Sequence, residues 1–536
     1  MDELSTEVLV VGGGLGGVAA AWSLAAAGRQ VVLTEESDWL GGQLTSQGVP
    51  PDEHPWIEHV GSTHRYRQLR TAIRDWYRTH RNLRATSARL PYLNPGAGLV
   101  SPLCHEPAVS AEVMAELLQP YVRSGHLTIM LQQVPVAAAT GGDRVEAVTF
   151  RGRATGTDTC VSAAIVLDAS ETGELIALAG VEHVTGFESR EETGEAAAPD
   201  VARPTDMQAA SWCFAVEHLA GEDHTIDRPD DYADWRSRQP AYWPGRQFGW
   251  TVPHPHTLAP RHHSMTPNPD DHPDRIVADQ SADSGADDLW RFRRMLARNH
   301  YADGGPVSDV TLVNWPMIDY LDGPVLGGTA AEDAHHAQQA KRMSRAFLYW
   351  LQTEAPRSDG GTGFPGLRLR PDVMGTDDGF AKRVYIRESR RIRARYTITA
   401  NDVAVRERPD GAVAYPDSVG TGAYRIDLHP STGGENYIDV PAHPFQIPYR
   451  ALVPVRVRNV LAAGKSIGTT HISNGCYRLH PVEWSIGEAA GIAAAHCLEH
   501  GLEPQQLEVG STQLAQYQQR LRLEGVDIAW PRIQPW

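Results

Sequence analysis

Apolar positions near the start of the chain fall into short blocks of different period. Residues 8–11 (VLVV) form a β-branched run that stops at a glycine cluster. Residues 18–27 are alanine-rich with helical spacing, Gly28 closes them, and residues 30–34 form a second β-branched run. Strand, glycine turn, helix, strand is the pattern of a βαβ unit. Further helices are expected at 62–80, where Leu69, Ile73 and Tyr77 share one face, and at 108–124. Residues 126–136, 145–151 and 163–167 read as strands, the last ending in Asp168.

Between about 186 and 305 the periodicity fades as Pro, Asp, His and Trp become frequent, and 253–274 and 280–288 read as irregular loops. Patterning returns with a strand at 310–316 and a long helix at 330–354. Strand or hairpin material follows at 383–403, then an apolar stretch at 453–463 and an alanine-rich helix at 481–500. A chain of 536 residues is too long for one core. The expected organisation is a nucleotide-binding domain in two parts, 1–185 and 446–500, with a substrate-facing α+β domain inserted at 186–445 and a tail at 501–536.

The glycines of the first turn fit G-x-G-x-x-G. Gly12 permits the turn, Gly14 lets backbone approach a pyrophosphate, and Gly17 allows close helix–strand packing; Leu15 and Gly16 complete the loop. The helix that follows aims its N-terminal N–H groups at the phosphates. Glu35 ends the next strand 18 residues after Gly17, placed to accept hydrogen bonds from ribose hydroxyls. A dinucleotide site is expected here.

A loop of the form E-x-x-x-x-x-G-G follows, ending in Gly41-Gly42-Gln43. FAD proteins of the glutathione-reductase type carry a similar loop beside the pyrophosphate and flavin, and a simple NAD dehydrogenase has no need of one. In the same class Val134 falls where backbone faces the adenine. Residues 165–173 (IVLDASETG) resemble a second nucleotide-contacting strand whose usual ending is Ala-Thr-Gly; here Ala169 is followed by Ser170-Glu171. Residues 461–495 deliver Ala463-Gly464 from a strand and place Pro481, Trp484 and Ile486 in the opening turns of a helix. A helix N-terminus there stabilises the anionic pyrimidine edge of reduced flavin. The Asp that usually follows Gly464 is replaced by Lys465.

Taken with Asn314-Trp-Pro316, Asp319-Tyr320 and the Arg387–Ile392 block (RESRRI), these motifs resemble a family of FAD-dependent oxidoreductases related to the flavin subunit of heterodisulfide reductase. The likeness runs over most of residues 7–500. It implies a glutathione-reductase-like α/β fold, a Rossmann-type FAD-binding domain with an inserted α+β substrate domain, noncovalent FAD and redox chemistry on a small-molecule substrate. No second glycine motif follows an apolar strand, because residues 420–422 follow Pro-Asp-Ser-Val, which does not read as a strand. An oxidase or dehydrogenase passing electrons to oxygen or a separate carrier is therefore expected. The rivals are a monooxygenase using docked NAD(P)H and a nonredox FAD-binding partner subunit.

Ten residues beside the expected flavin hold His471, Asn474, Cys476, Tyr477, Arg478 and His480. A His or Tyr there removes a proton as hydride leaves, and Arg478 anchors an anion. His471 and Tyr477 are the leading bases, with Asn474 and Arg478 beside them; shaping the loop is the competing role, and His480 also suits a helix cap. Arg387, Glu388, Arg390 and Arg391 read as an internal ion-pair network.

Net charge is −17, from 49 Lys+Arg against 66 Asp+Glu, which argues against a nucleic-acid surface. Five cysteines without a CxxC pair signal neither zinc nor iron–sulfur ligation, and no metal is expected. Buried, inert thiols are the expectation for Cys104 and Cys476. No apolar run approaches membrane length and the N-terminus runs straight into a strand, so the cytoplasm is the expected location.

Overall fold

The computed structural model of the chain describes residues 2–271 and 287–531. Most of the expected loop at 280–288 lies outside the described residues. The opening unit is β1 (Asp2–Val11), α1 (Leu15–Ala26) and β2 (Val31–Glu35). Then come α2 (His64–His80), α3 (Pro107–Arg123), β3 (Leu127–Leu131), β4 (Gln133–Gly141), β5 (Arg144–Gly152) and β6 (Asp158–Asp168). The sheet runs β3-β2-β1-β6-β5-β4. Its first four strands are parallel, and β4–β5–β6 is an antiparallel extension. Val8–Val11 are buried throughout, as a central parallel strand covered on both faces requires. The stretch expected as one strand at 126–136 breaks at Gln132, whose φ of 57° turns the chain from β3 into β4. Leu69, Ile73 and Tyr77 are buried on one face of α2, and Thr63 caps that helix by accepting from the Tyr66 N–H.

A second core spans Met207 to Ile386. Its strands are β7 (Phe214–His218), β8 (Arg294–Leu296), β9 (Val310–Val313) and, after α4 (Ala330–Thr353), β10 (Leu367–Leu369). They form an antiparallel sheet in the order β8-β9-β7-β10. Met343, Phe347, Trp350 and Leu351 of α4 are buried in this core. Thr329 and Glu332 form a capping box at the start of α4.

The chain then returns to the first core, which Ile392 to Val457 join. Residues 383–403 form no hairpin; only Arg391–Ile392 is a strand. The backbone threads between two walls instead. Ile392, Arg393, Arg395 and Ile398 donate in turn to the carbonyls of Ser466, Glu182, Val453 and Gly468. Ile392, Ala394 and Ile398 are buried, while Arg393, Arg395 and Thr397 between them are exposed.

Two antiparallel pairs follow, β11 (Ser418–Gly422) with β14 (Phe445–Pro448) and, between them in sequence, β12 (Ile426–Leu428) with β13 (Ile438–Val440). β11 corrects the expectation that 420–422 lies outside a strand. Its glycines make it flat enough to pack: a Cβ on Gly422 would stand 2.5 Å from the Phe445 ring and 2.7 Å from Val482. The last elements are β15 (Val460–Ala462), α5 (His471–Tyr477), α6 (His480–His500) and α7 (Thr512–Leu523). β15 pairs in parallel with β6 and completes a seven-stranded sheet. α6 crosses α1 backbone to backbone, because a Cβ on Gly487 would overlap Gly16, and one on Gly491 would stand 2.6 Å from the Ala20 carbonyl oxygen. α7 docks on α6, the Tyr517 hydroxyl donating to the Ala489 carbonyl at 2.8 Å. The molecule is thus a mixed α/β protein on a Rossmann-type parallel sheet. Among the described residues no helix is long and apolar enough to cross a membrane.

Candidate functional site

The glycine turn between β1 and α1 is held by backbone packing. Gly12 has a φ of +97°, and a Cβ there would come within 2.5 Å of the Ala169–Ser170 backbone at the end of β6. A Cβ on Gly16 would overlap the Ala463 carbonyl, and one on Gly17 the Gly12 carbonyl. The Gly41 N–H donates to Gly13 O at 2.7 Å, which lays the second glycine loop, with positive φ at Gly41 and Gly42, against the first. The Glu35 carboxylate accepts from the N–H groups of Gly13 and Ser37, both at 2.9 Å. Burial, then Glu36, pushes its carboxyl up to about 8. Gly12, Glu35, Val134 and Ser170 line one cleft, with Ala169 directly behind it.

Two departures from the usual flavoprotein pattern meet at this turn. Glu171, standing where the Ala-Thr-Gly ending has its glycine, is hydrogen-bonded to Lys465, standing where the late motif has its Asp. The pair is buried, with the Lys465 Nζ also donating to Ile386 O at 3.1 Å. Burial opposes the Lys465 charge, yet Glu171 and Glu483 outweigh it and raise its pKa. Glu483, in the first turn of α6, accepts from the Gly16 N–H at 3.4 Å and from Gln43. Burial, then Glu171, pushes the Glu483 carboxyl to about 7. Glu171 Oε1 is buried without a hydrogen-bond partner, in the groove between Gly14 and Gly42 that any Cβ there would fill. Gly464 is not compressed: a Cβ would meet its nearest atoms at 3.7 Å, so the packing of the chain does not itself require glycine there. Glycine cradle, terminal carboxylate and two adjacent helix N-termini suit a dinucleotide.

The four expected catalytic residues sit in and just after α5, where Thr470 supplies a capping box. His471 Nδ1 is 3.0 Å from Glu388, and its ring lies 3.7 Å from Phe187. Burial opposes the Glu388 charge, but His471 and Arg391 hold its carboxyl at about 2. Asn474 Nδ2 donates to Arg387 O at 3.1 Å, and the Tyr477 hydroxyl to Gln446 O at 2.8 Å. His471, Asn474 and Tyr477 thus spend these groups on the fold. Arg478 differs: its guanidinium reaches the Tyr385 hydroxyl at 3.2 Å and Asp427 at 3.3 Å, with Nε unpartnered. His480 accepts from Asp52 N and reaches Val49 O, both at 3.1 Å, and burial, then Arg293 and Lys465, drives its pKa far down. Pro481 lies in the first turn of α6, whereas Trp484 packs on Trp22 and Tyr66 and donates to Glu488, and Ile486 is buried in the first core.

Arg478 and Asp52 are buried and form a charged cluster with Arg293. Burial pushes the Asp52 carboxyl up, while Arg293, Arg478 and His429 pull it back. Arg293 Nη1 is 3.5 Å from Asp52 Oδ1. His429 donates its Nδ1–H to Asp319 at 2.6 Å, and Asp319 also meets Ser211 Oγ at 2.7 Å and Arg387 at 3.1 Å. Burial opposes the Asp319 charge, but Arg387 and His429 keep its carboxyl low. His429 Nε2 has no partner among the described residues, an arrangement that fixes the tautomer and leaves a lone pair open. A cavity of about 430 Å³ bordered by Trp56, Phe292, Tyr424 and Asp427 adjoins this cluster through the Asp427–Arg478 contact.

The sequence marks Asp319 only as part of the family motif and does not mark His429, Asp52 or Arg293. His429 follows a three-residue strand, 110 positions from Asp319. Nothing local marks such a pair. Of the expected Arg387, Glu388, Arg390 and Arg391 network, Arg387 pairs with Asp319 and Arg391 with Glu188 and Glu388, whereas Arg390 donates to Thr172 O at 2.8 Å instead. All five cysteines are free, and Cys104 and Cys476 are buried. Among the described residues no cluster of three His, Cys, Asp or Glu side chains is arranged to hold a metal ion.

A protein-family model described as FAD dependent oxidoreductase matches residues 7–521. No curated protein matches the chain. Among solved structures it is similar to L-proline dehydrogenase from P. horikoshii, with 16% identity over 36% of this chain and 26% of that one and a TM-score of 0.18. It is also similar to the myxobacterial chondrochloren halogenase CndH (15% identity, 42% and 46% covered, TM-score 0.23). A third is the flavin-dependent monooxygenase PieE (14% identity, 41% and 36% covered, TM-score 0.25). The chain spans less than half the length of each.

Proposed function

The chain belongs to the FAD dependent oxidoreductase family, and from that premise we propose that it is a dehydrogenase or oxidase acting on a small organic substrate held between its two cores. In this reading the turn Gly12, Gly14, Leu15, Gly16 and Gly17 and the start of α1 hold the pyrophosphate. Glu35 takes the ribose hydroxyls, and backbone at Val134 and Ala169 borders the adenosine. Gly41, Gly42, Gln43, Gly464 and the Pro481 turn of α6 hold the flavin end. FAD, when bound, supplies the acceptor for a substrate hydride.

The chain's own part is to bind the substrate and take its proton. The observation that carries this is the Asp319–His429 pair, 2.6 Å apart, with His429 and Arg478 both close enough to Asp52 to act on its charge. Donation of Nδ1–H to a carboxylate held ionised by Arg387 turns the Nε2 lone pair outward and stabilises the imidazolium that forms. Arg478, of the four loop residues first considered, is paired with the cavity-lining Asp427, and we assign it to orienting the substrate. The acceptor that renews the flavin is oxygen or a separate carrier: among the described residues every sheet apart from the seven-stranded one is antiparallel, with no second βαβ unit for a nicotinamide. Kinship with the flavin subunit of heterodisulfide reductase belongs to the same proposal.

The test is anaerobic stopped-flow reduction of the flavin-loaded protein by a panel of alcohols and amines. His429→Asn is expected to slow the bleaching about 10²–10⁴-fold with flavin content unchanged, the range of a lost general base. Bleaching at the wild-type rate in that variant, or rapid bleaching by NADPH alone, overturns the reading.

A further inference from the structure

The cavity that opens on Tyr424 and Asp427 has a charge pattern that selects its occupant. Five charged side chains line it, and each already has a counter-ion within the chain. Glu53 pairs with Arg70 at 2.8 Å and Arg261 with Asp287 at 2.9 Å. Arg425 pairs with Asp439 at 2.5 Å, and Asp427 with Arg478 at 3.3 Å. His256, from the irregular loop expected at 253–274, adds a second partner to Asp439 at 3.0 Å. A carboxylate ligand would find no surplus positive charge here, and an ammonium no surplus negative charge. Either would add an unmatched ion to a partly dry site, where unmatched ions are disfavoured.

Hydrogen-bonding capacity, by contrast, is left over. Behind Asp427, Arg478 Nε, Arg293 Nε and the Tyr437 hydroxyl are buried without a hydrogen-bond partner, while Arg293 Nη1 faces Asp52 Oδ1 at 3.5 Å. Arg478 and Asp52 are each at least nine-tenths buried. In the lining itself the carboxylates of Asp427 and Asp439 stand beside the guanidinium of Arg425, and acceptors next to donors call for a ligand whose groups both give and accept, as hydroxyls do. The walls in front of them are rings: Trp56, Phe292 and Tyr424, with Pro55, Pro255 and Pro444. Flat apolar walls with a few polar groups at one end orient a compact ring by its faces and its edge.

We infer that the cavity binds a neutral polyhydroxylated ring, a sugar or cyclitol, rather than a hydroxy acid or an amino acid. This rests on the proposed function, whose base, His429, lies two residues beyond the cavity-lining Asp427. It deepens that reading by naming the substrate class.

Isothermal titration of the flavin-loaded protein with D-glucose and myo-inositol, against gluconate and glucosamine as charged counterparts, tests it. The neutral probes are expected to bind at least about tenfold more tightly than either charged one, a difference of about 1.4 kcal/mol. Their affinity should not change with salt, since matched walls leave no net field to screen. Trp56→Ala is expected to weaken them about tenfold, and Trp56→Phe, which keeps a ring and guards against misfolding, only a few-fold. Tighter binding of gluconate or glucosamine, or no saturable heat from either neutral probe, overturns the inference. The two readings fail separately: protein that binds glucose but takes up no flavin sinks the proposed function, and flavin bleached only by charged substrates sinks the cavity assignment.

Discussion

Lys465→Met tests the buried pair that joins the two unusual motifs. The Lys465 side chain is 1% exposed and Glu171 12% exposed, so removing the ammonium leaves a mostly buried carboxylate without its counter-ion. Breaking one side of such a pair costs about 3–5 kcal/mol. The loss is pH-dependent with a definite sign. Glu483 already titrates at about 7, with Lys465 pulling it down, and without Lys465 it moves higher. A carboxyl whose folded pKa lies above its unfolded value is penalised when ionised, so the loss is largest near pH 8 and shrinks as pH falls and Glu483 takes a proton. Glu171→Gln added to Lys465→Met removes both charges, and a neutral pair of similar size should return to within about 1–2 kcal/mol of wild type. Urea unfolding of the flavin-free proteins by far-UV circular dichroism at pH 6, 7 and 8 reads the cycle. A Lys465→Met variant within about 1 kcal/mol of wild type, or a double variant equal to the sum of the singles, refutes the reasoning.

Four further outcomes follow from the same geometry. Gly16→Ala should yield protein without bound flavin, read as the ratio of absorbance at the flavin band to that of protein, because its Cβ overlaps the Ala463 carbonyl, which is backbone and cannot swing aside. Asp319→Asn should lower kcat/KM about 10²-fold or more while leaving flavin content intact, since the His429 tautomer is no longer fixed by a carboxylate. Glu35 at about 8, Asp168 at about 7 and Glu483 at about 7 all lie above their ordinary values of 4.5, 3.8 and 4.5. The stability of flavin-free protein should therefore fall as pH rises from about 4.5 to about 8, and Glu35→Gln should flatten that slope by up to about 1.4 kcal/mol per pH unit. Burial pushes the thiols of Cys104, Cys213 and Cys497 up to about 12 and that of Cys476 higher still, so a thiol reagent should label at most the half-exposed Cys160 in native protein.

The nucleotide-binding half was legible because its signals are local. The spacing of Gly12, Gly14 and Gly17 fixes a turn, and the run Val8–Val11 needs no partner to declare itself a buried strand. Helices α2, α4 and α6 likewise carry their own patterns. Residues that act only through distant partners were hidden. Lys465 and Glu171 each read as a gap in a motif, and the gaps explain each other only once β6 and β15 lie side by side. His429 and Asp319 come from segments with no periodic signal, and His471 and Tyr477 are near the flavin end in sequence while their polar groups turn into the fold. β11 was missed because glycines depress strand propensity, though here they are what lets the strand lie against Val482 of α6. The segment at 501–536 read as a tail because α7 buries only Leu514, Tyr517 and Leu521.

The most direct measurement is the amount and identity of flavin released by acid from purified protein. About one FAD per chain is predicted in the supernatant, shown to be the dinucleotide by its rise in fluorescence on phosphodiesterase cleavage. Colourless protein that takes up no FAD on reconstitution, or flavin that stays with the precipitate, would contradict a noncovalent site built on the Gly12–Gly17 turn.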